Sequence, residues 1–364
     1  MEPIGIYIHI PFCRRGCFYC HFVKKPYRTD MAERYVKALV RELKLHTNPC
    51  YLVDTVYIGG GSPSLLNGRQ IIEIMDAVCA NFQTTPSMEC TFEMNPEDVT
   101  RDQLRILKEN GFNRLSIGVQ SFVPEDLRYL KRTHSVQQSL DAIDNALDNG
   151  FTNLNIDFII SLPTQTKESL TKNFSNLQTF SAMKNYEIPH VSAYLLEEVE
   201  EGEAREERDH EFYFFTREQL GNLGYDQYEI SNFSKPGFRS RHNLKYWKNL
   251  PYIGTGLSAS GFEHGLDYKN TVKLKVYFDK IDQGVLPKVD VKRQNPSLRR
   301  IVMGLRLLEG IPEAYFNDYK EELDFLLDNH MLIRHEGNIS VNPEKLLILN
   351  EILTHFFKVK PSPQ

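Results

Sequence analysis

The sequence predicts an α/β protein whose core is a run of parallel strands. Two observations predict it. Six short apolar runs alternate with stretches of helical periodicity between residues 4 and 195, the pattern of repeated βαβ units. The polar and glycine residues with chemical potential fall just after those runs: the cysteine-rich segment after Ile10, then Gly59–Ser62, Glu93, Gln120 and Asp157. Parallel α/β folds bind ligands at the carboxyl ends of their strands, so one site can collect all of these groups. A right-handed succession of six leaves two topologies open, a doubly wound sheet and an open (β/α)6 partial barrel.

The first strand is Ile4 to Ile10. Asp30, with Glu33 three residues on, reads as a capping box. It opens a helix to about Leu45, with Met31, Tyr35, Leu39 and Leu43 on one face. Thr55–Ile58 is the second strand and runs into Gly59-Gly60-Gly61-Ser62-Pro63; a helix follows from about Arg69 to Phe82. Met88 to Met94 is the third strand and ends in Asn95-Pro96-Glu97. Thr100 and Gln103 cap a helix reaching Asn110, and Gly111 suits its C-terminal turn. Arg114–Val119 is the fourth strand, and a helix from Ser135 to Asn149 stops at Gly150. Leu154–Ile160, a helix from Lys167 to Phe180, and His190–Leu195 complete the six units.

Glu197 to Asp209 reads as a charged, solvated loop and helix start, leading to a helix that ends near Leu223. Residues 283–296, with Pro287 and Pro296, read as a linker. Asn295-Pro296 then starts a helix through Leu308. Two further helices flank a hairpin (Leu332–His335, Ile339–Val341), and Asn342-Pro343 starts the last helix. The predicted division is residues 1–285 as the α/β core with its extension, and 295–364 as a small winged-helix-like α+β domain.

A chain of 364 residues accommodates both parts. Its net charge of −5 argues against a nucleic-acid footprint. No apolar run reaches the roughly 18 residues that a membrane span needs. The Met-Glu-Pro start lacks the pattern of a signal peptide, so a cytoplasmic location is expected. Cys50, Cys79 and Cys90 are scattered and read as free thiols in a reducing compartment.

Cys13, Cys17 and Cys20 form a C-x3-C-x2-C segment directly after the first strand. Thiolates are the usual ligands of iron–sulfur clusters. Zinc sites use paired knuckles or cysteine with distant histidine, and that spacing is absent here. Three thiolates from one loop hold three irons of a cubane and leave the fourth iron open. Glu93 and Asp157, taken alone, fit a loop cap or surface carboxylate as well as a ligand for hydroxyls or an ammonium. Arg132 taken alone reads as a surface arginine, and His242 as a core histidine satisfied by its neighbours.

The cysteine loop resembles that of radical S-adenosylmethionine (SAM) enzymes. The resemblance extends to the oxygen-independent coproporphyrinogen III oxidase superfamily through Tyr-Ile-His-Ile-Pro-Phe-Cys at 7–13, Gly-Gly-Gly-Ser-Pro-Ser at 59–64 and Glu-Met-Asn-Pro-Glu at 93–97. It continues in Ser-Ile-Gly-Val-Gln-Ser-Phe at 116–122, Arg-Thr-His at 132–134, Asn-Ile-Asp-Phe-Ile at 155–159, Tyr-Glu-Ile-Ser-Asn-Phe at 228–233, His-Asn-Leu-Lys-Tyr-Trp at 242–247 and Gly-Leu-Arg-Leu-Leu-Glu-Gly at 304–310. The true oxidases carry a further cysteine where this chain has Phe22, and the form here is similar to the HemW branch, which binds heme and hands it on.

The resemblance implies a radical SAM (β/α)6 partial barrel and three cofactors. A [4Fe-4S] cluster would sit on Cys13, Cys17 and Cys20. SAM would lie against Tyr7, Gly60, Gly61, Ser62, Glu93, Gln120, Arg132 and Asp157, with Gln120, Arg132 and Asp157 belonging to a second SAM where two are held. Heme would bind at 242–247, with His242 as axial ligand and Tyr246 and Trp247 for stacking. The implied partners are heme, heme-receiving proteins, an electron donor for the cluster and a second copy in a homodimer. The other reading the resemblance allows is a tetrapyrrole-directed radical SAM enzyme such as the oxidase. Ser260 departs from the branch, standing where many members have histidine.

Overall fold

The strand order decides between the two topologies. In the computed structural model, which describes residues 1–197 and 202–357, the six expected units are β1 (Glu2–Ile10), β2 (Tyr51–Gly60), β3 (Gln83–Met94), β4 (Arg114–Gln120), β5 (Leu154–Ile160) and β6 (His190–Leu195). The helices between them are α1 (Thr29–Leu45), α2 (Gly68–Asn81), α3 (Arg101–Glu109), α4 (Val136–Asp148) and α5 (Lys167–Lys184). The strands lie side by side in chain order, all parallel. Each crossover therefore steps the same way, as in a partial barrel; a doubly wound sheet would reverse. Curvature follows: Tyr57 on β2 and Asp157 on β5 interact electrostatically across the interior although two strands lie between them.

Alternation along each strand sorts the side chains. Ile4, Ile6, Ile8 and Ile10 of β1 are fully buried in the core with Tyr35, Val36, Leu39 and Leu43 of α1. Each such aliphatic side chain contributes roughly 1.5–3 kcal/mol on burial. The intervening residues, Gly5, Tyr7 and His9, face the interior, as do Thr55 and Tyr57, Ser116, and Asn155 and Asp157, which bond one another there.

Four features differ from the sequence expectation. The first helix begins at Thr29 without a capping box, because Arg28 takes both oxygens of Asp30 at 3.2 and 2.8 Å. Thr100 does cap α3, but Gln103 turns away to donate to the carbonyls of Ser64 and Leu66. The expected linker contains a strand, Lys288–Arg293, at the edge of the large sheet, paired with Leu266–Asn270. Its Lys-Val-Asp-Val-Lys-Arg sequence is mostly exposed, so it carries no apolar signal. The helix after Asn295 ends at Gly304, where a Cβ would lie 2.3 Å from Ile311 of the crossing strand.

The sheet also continues past β1 through Tyr252–Thr255, which is parallel to β1, and the antiparallel Ser260–Glu263 and Leu266–Asn270. Residues beyond 295 form a three-stranded antiparallel sheet (Ile311–Pro312, Asn338–Val341, Leu332–His335) with a hydrophobic cluster of their own, joined by Tyr213. Residues 198–201 of the charged stretch lie outside the described residues. No helix among the described residues is long and apolar enough to cross a membrane.

Candidate cluster and SAM site

The cysteine loop leaves the carboxyl end of β1 and is tied down at both ends. Lys25 N donates to Pro11 O at 2.7 Å and Tyr27 N to Cys13 O at 3.0 Å. Inside the loop the Lys24 ammonium donates to the carbonyls of Cys17 and Cys20 at 2.6 and 2.9 Å. These bonds fix the turn that presents the half-buried Cys13, Cys17 and Cys20. Among the described residues no three His, Cys, Asp or Glu side chains converge on a single metal position. A cubane asks for a wider set, because each cysteine takes a different iron.

Glycine is required where the loop meets β2. A Cβ on Gly61 would lie 2.7 and 2.8 Å from the carbonyls of Phe12 and Ile10, and 3.0 Å from Cys13 Sγ. Gly60 has φ +113° and packs its α-carbon against the His9 ring. The glycine run thus holds the loop against the strand end and leaves the edge open. Gly60 N donates to Glu93 at 3.0 Å, and Tyr57 OH donates to the other oxygen at 2.7 Å. Burial pushes the Glu93 carboxyl up to about 7, against the lowering effect of these bonds. Asp157 is pushed up by burial as well, and accepts from Asn155 and Ser116 at 2.7 and 3.1 Å. Tyr7 OH bonds His9 Nδ1 at 3.0 Å.

On the same carboxyl rim, the Arg132 side chain is largely buried rather than on the surface. Its guanidinium donates to Asn95 Oδ1 at 2.7 Å and lies 3.8 Å from Cys17 Sγ. Asn95 in turn donates to Ser62 Oγ at 2.9 Å. Asn95 therefore links two predicted SAM residues, a role that sequence reading missed although it lies two residues after Glu93. Burial pushes Glu97 up, but His134, Thr133 and the Arg132 charge hold it down at about 2. Gln120 takes a left-handed backbone, φ 66°, at the end of β4. Such a conformation in a non-glycine residue costs on the order of 1–3 kcal/mol and clusters at functional sites.

The residues present fit both cofactors. The buried Nε of Arg132, close to Cys17, has no hydrogen-bond partner, and the Tyr19 hydroxyl is buried beside the same thiol and guanidinium. They are the groups that a cluster sulfur or a ligand carboxylate would satisfy. A [4Fe-4S] cluster held by Cys13, Cys17 and Cys20 would supply, when reduced, the electron that cleaves SAM, and the surrounding residues would orient the pair. Tyr7, Gly60, Glu93 and Asp157 share the interior, and Ser62, Gln120, Arg132 and the cysteines share its carboxyl rim.

His242 lies lower in the same interior, its ring centroid 6.4 Å from that of Tyr7 and 5.3 Å from that of Tyr57. It sits on the short helix Arg241–Trp247, fully buried at the opposite end of the interior. Nδ1 is 2.8 Å from Thr55 Oγ1 and Nε2 is 2.8 Å from Tyr246 OH. Burial lowers its pKa to about 3, with Lys245 and Arg114 adding to the effect. Both ring nitrogens are occupied, so an iron at either must displace an internal partner. Glu89 caps the same helix, accepting from the backbone N–H of Arg241 and His242 at 3.0 and 2.9 Å.

A radical SAM superfamily model matches residues 7–174. The heme chaperone HemW of Lactococcus lactis is 30% identical over 382 residues, spanning 98% of this chain and 97% of that one. The heme chaperone HemW of Escherichia coli is 32% identical, spanning 98% of each. Among solved structures, the radical SAM enzyme coproporphyrinogen III oxidase (HemN) of Escherichia coli superposes with a TM-score of 0.82 at 24% identity, covering 98% of this chain and 90% of that one, which establishes the shared fold. With its cysteine loop at the carboxyl rim of a six-stranded partial barrel and relatives matched end to end, the chain belongs to the HemW family of radical SAM proteins.

Proposed function

We propose that this protein binds heme and delivers it to heme-requiring proteins in the cytoplasm, using a SAM-ligated [4Fe-4S] cluster as a resident centre. The observation that carries the reading is the end-to-end similarity to heme chaperones, at 32% identity to one of them. The cluster is assigned to Cys13, Cys17 and Cys20. SAM is assigned to Tyr7, Gly60, Gly61, Ser62, Glu93, Gln120, Arg132 and Asp157. Phe22 supports a chaperone over an oxidase, since it supplies no thiol at the position where the oxidases carry a further cysteine.

The test is anaerobic reconstitution followed by heme titration and an assay for coproporphyrinogen turnover. Stoichiometric heme binding without decarboxylation is expected; formation of protoporphyrinogen would overturn the reading in favour of the oxidase. Cys17→Ser should abolish the cluster's visible absorbance while the chain stays folded. Unchanged iron content in that variant would show that the cluster lies elsewhere.

A further inference from the structure

Arg114, the first residue of β4, is a buried cation without a counterion. Only 1% of it is exposed. Alternation turns it inward with Ser116, since Leu115 and Ile117 pack in the hydrophobic core. Among the described residues its guanidinium forms no hydrogen bond and no ion pair, and its Nε is buried without a partner. A guanidinium carries five N–H donors, and burying such a charge unpaired costs far more than burying a neutral polar group. Its neighbour across the strands is in the same state. Thr91 of β3 pairs in register with Arg114, and the Thr91 hydroxyl is also buried without a partner. Thr91 faces inward with Glu93, while Cys90 and Phe92 pack in the core.

The nearby carboxyls do not supply the missing anion. Glu93 and Asp157 feel the Arg114 charge, yet burial pushes both up. Each is already held by other donors, Tyr57 and Gly60 for Glu93, Asn155 and Ser116 for Asp157. Glu89, lower on β3, accepts from the backbone N–H groups of Arg241 and His242. The interior has room for a ligand: Tyr194 of β6 faces it, near enough for Glu93 and Asp157 to act on its hydroxyl, and is still 42% exposed. A planar guanidinium fork beside a hydroxyl matches a carboxylate. One cation close to two acids suits a single negative charge better than a phosphate dianion.

We propose that Arg114 and Thr91 form a carboxylate-binding subsite inside the barrel, one inward position below Glu93 and above the short helix Arg241–Trp247. This inference deepens the heme-chaperone reading, which supplies two ligands with such a group. A heme held at the short helix offers a propionate from below, and SAM offers its methionyl carboxylate from the rim.

The experiment uses the full chain, reconstituted anaerobically, as wild type, Arg114→Gln, Arg114→Lys and Thr91→Val. Each is titrated with ferric heme and its dimethyl ester, and with SAM and 5′-methylthioadenosine, which lacks the methionyl carboxylate. Arg114→Gln should bind one of the two carboxylate ligands at least tenfold more weakly, and the matching carboxylate-free analogue as wild type does. Thr91→Val should weaken the same ligand severalfold, and Arg114→Lys should recover part of the loss. A loss for heme alone identifies the propionate; a loss for SAM alone identifies the methionyl carboxylate. The cofactor-free Arg114→Gln chain should keep or raise the wild-type urea midpoint, because it sheds an unpaired buried charge. Unchanged affinity for both ligands, or equal losses for the carboxylate-free analogues, would overturn the subsite. Absence of heme binding by wild type would overturn the chaperone reading, while the SAM titrations would still decide the subsite.

Discussion

The rim and the floor of the barrel are lined by the same alternating strands, yet their polar groups are satisfied in different ways. At the floor, groups close on one another: His242 bonds Thr55 and Tyr246, His190 bonds Asn155 and Tyr228, and Lys245 pairs with Asp54 at 2.7 Å. Both ends keep a buried nitrogen without a partner, Arg114 Nε and Trp247 Nε1 at the floor and Arg132 Nε at the rim, but only at the rim does Gln120 hold a strained backbone while Phe18 and Phe22 stay exposed. A strained backbone and exposed rings, more than unpaired polar atoms, are what set the rim apart as a place prepared for a ligand. The difference teaches that the His-Asn-Leu-Lys-Tyr-Trp segment is tied into the fold at its histidine, whereas the cysteine loop keeps side chains turned outward.

Substitution at the floor gives the largest expected effect. His242→Ala removes a buried ring and strands the hydroxyls of Thr55 and Tyr246, at a cost of about 3 kcal/mol. A lowered urea midpoint at unchanged slope checks it. His21 of the cysteine loop meets Glu197 at 3.1 Å with both side chains exposed, and His21→Ala should change stability by less than about 0.5 kcal/mol. Equal effects would break the contrast between floor and rim. Gly5→Ala sharpens the same point, since its Cβ would lie 2.8 Å from both Lys245 Cδ and Thr55 Oγ1. Overpacking there should cost about 1–3 kcal/mol, and a midpoint as in wild type would show that the short floor helix shifts freely.

The barrel was legible because each βα unit repeats one signal: apolar run, glycine or polar residue, cap, helix. Ser135 and Gln138 show how local that signal is, since their reciprocal bonds cap α4 at the residue where a helix was expected to begin. Two site residues are placed differently from the expectation: Glu93 and Asp157, read as following strands, lie within β3 and β5 with their carboxyls turned to the interior, because strand alternation there puts the acid on the inner face. What stayed hidden depends on partners far apart in sequence. His242 meets Thr55 across 187 positions, and Arg132 reaches Cys17 across 115. The edge strand Lys288–Arg293 was hidden for another reason: exposed on most of its length, it lacks the apolar alternation that marks a half-buried strand.

Two buried carboxylates carry the comparison into pH dependence. Glu42 of α1 and Glu93 are each pushed up to about 7 by burial. Glu42 is fully enclosed and accepts from Tyr277 OH, Gly256 N and Asn270 Nδ2 at 2.6, 2.8 and 2.6 Å. Glu93 faces the interior and accepts from Tyr57 OH and Gly60 N. For both, the folded pKa lies above the unfolded value near 4.5, so the native state binds more protons in between. Their contribution is fully present below about pH 4.5 and is lost as pH rises through about 7. Glu42→Gln should cost about 1–2 kcal/mol at pH 6, because an amide in place of either oxygen faces a donor that cannot reverse without losing a bond.

Glu93→Gln should be nearly neutral at pH 6, the smallest effect of the series. The Tyr57 hydroxyl can turn to accept from the new amide while Gly60 N–H keeps the carbonyl. At pH 8 the same variant should be more stable than wild type by about 1 kcal/mol, since it removes a charge from a poorly solvated interior without needing a proton. Cofactor-free chains compared by urea unfolding at pH 6 and pH 8 measure both values. A gain at pH 8 for Glu93→Gln beside a loss for Glu42→Gln would mark Glu93 as a group held ready for a cation and Glu42 as a structural one. Matching losses would place Glu93 with the closed groups of the floor.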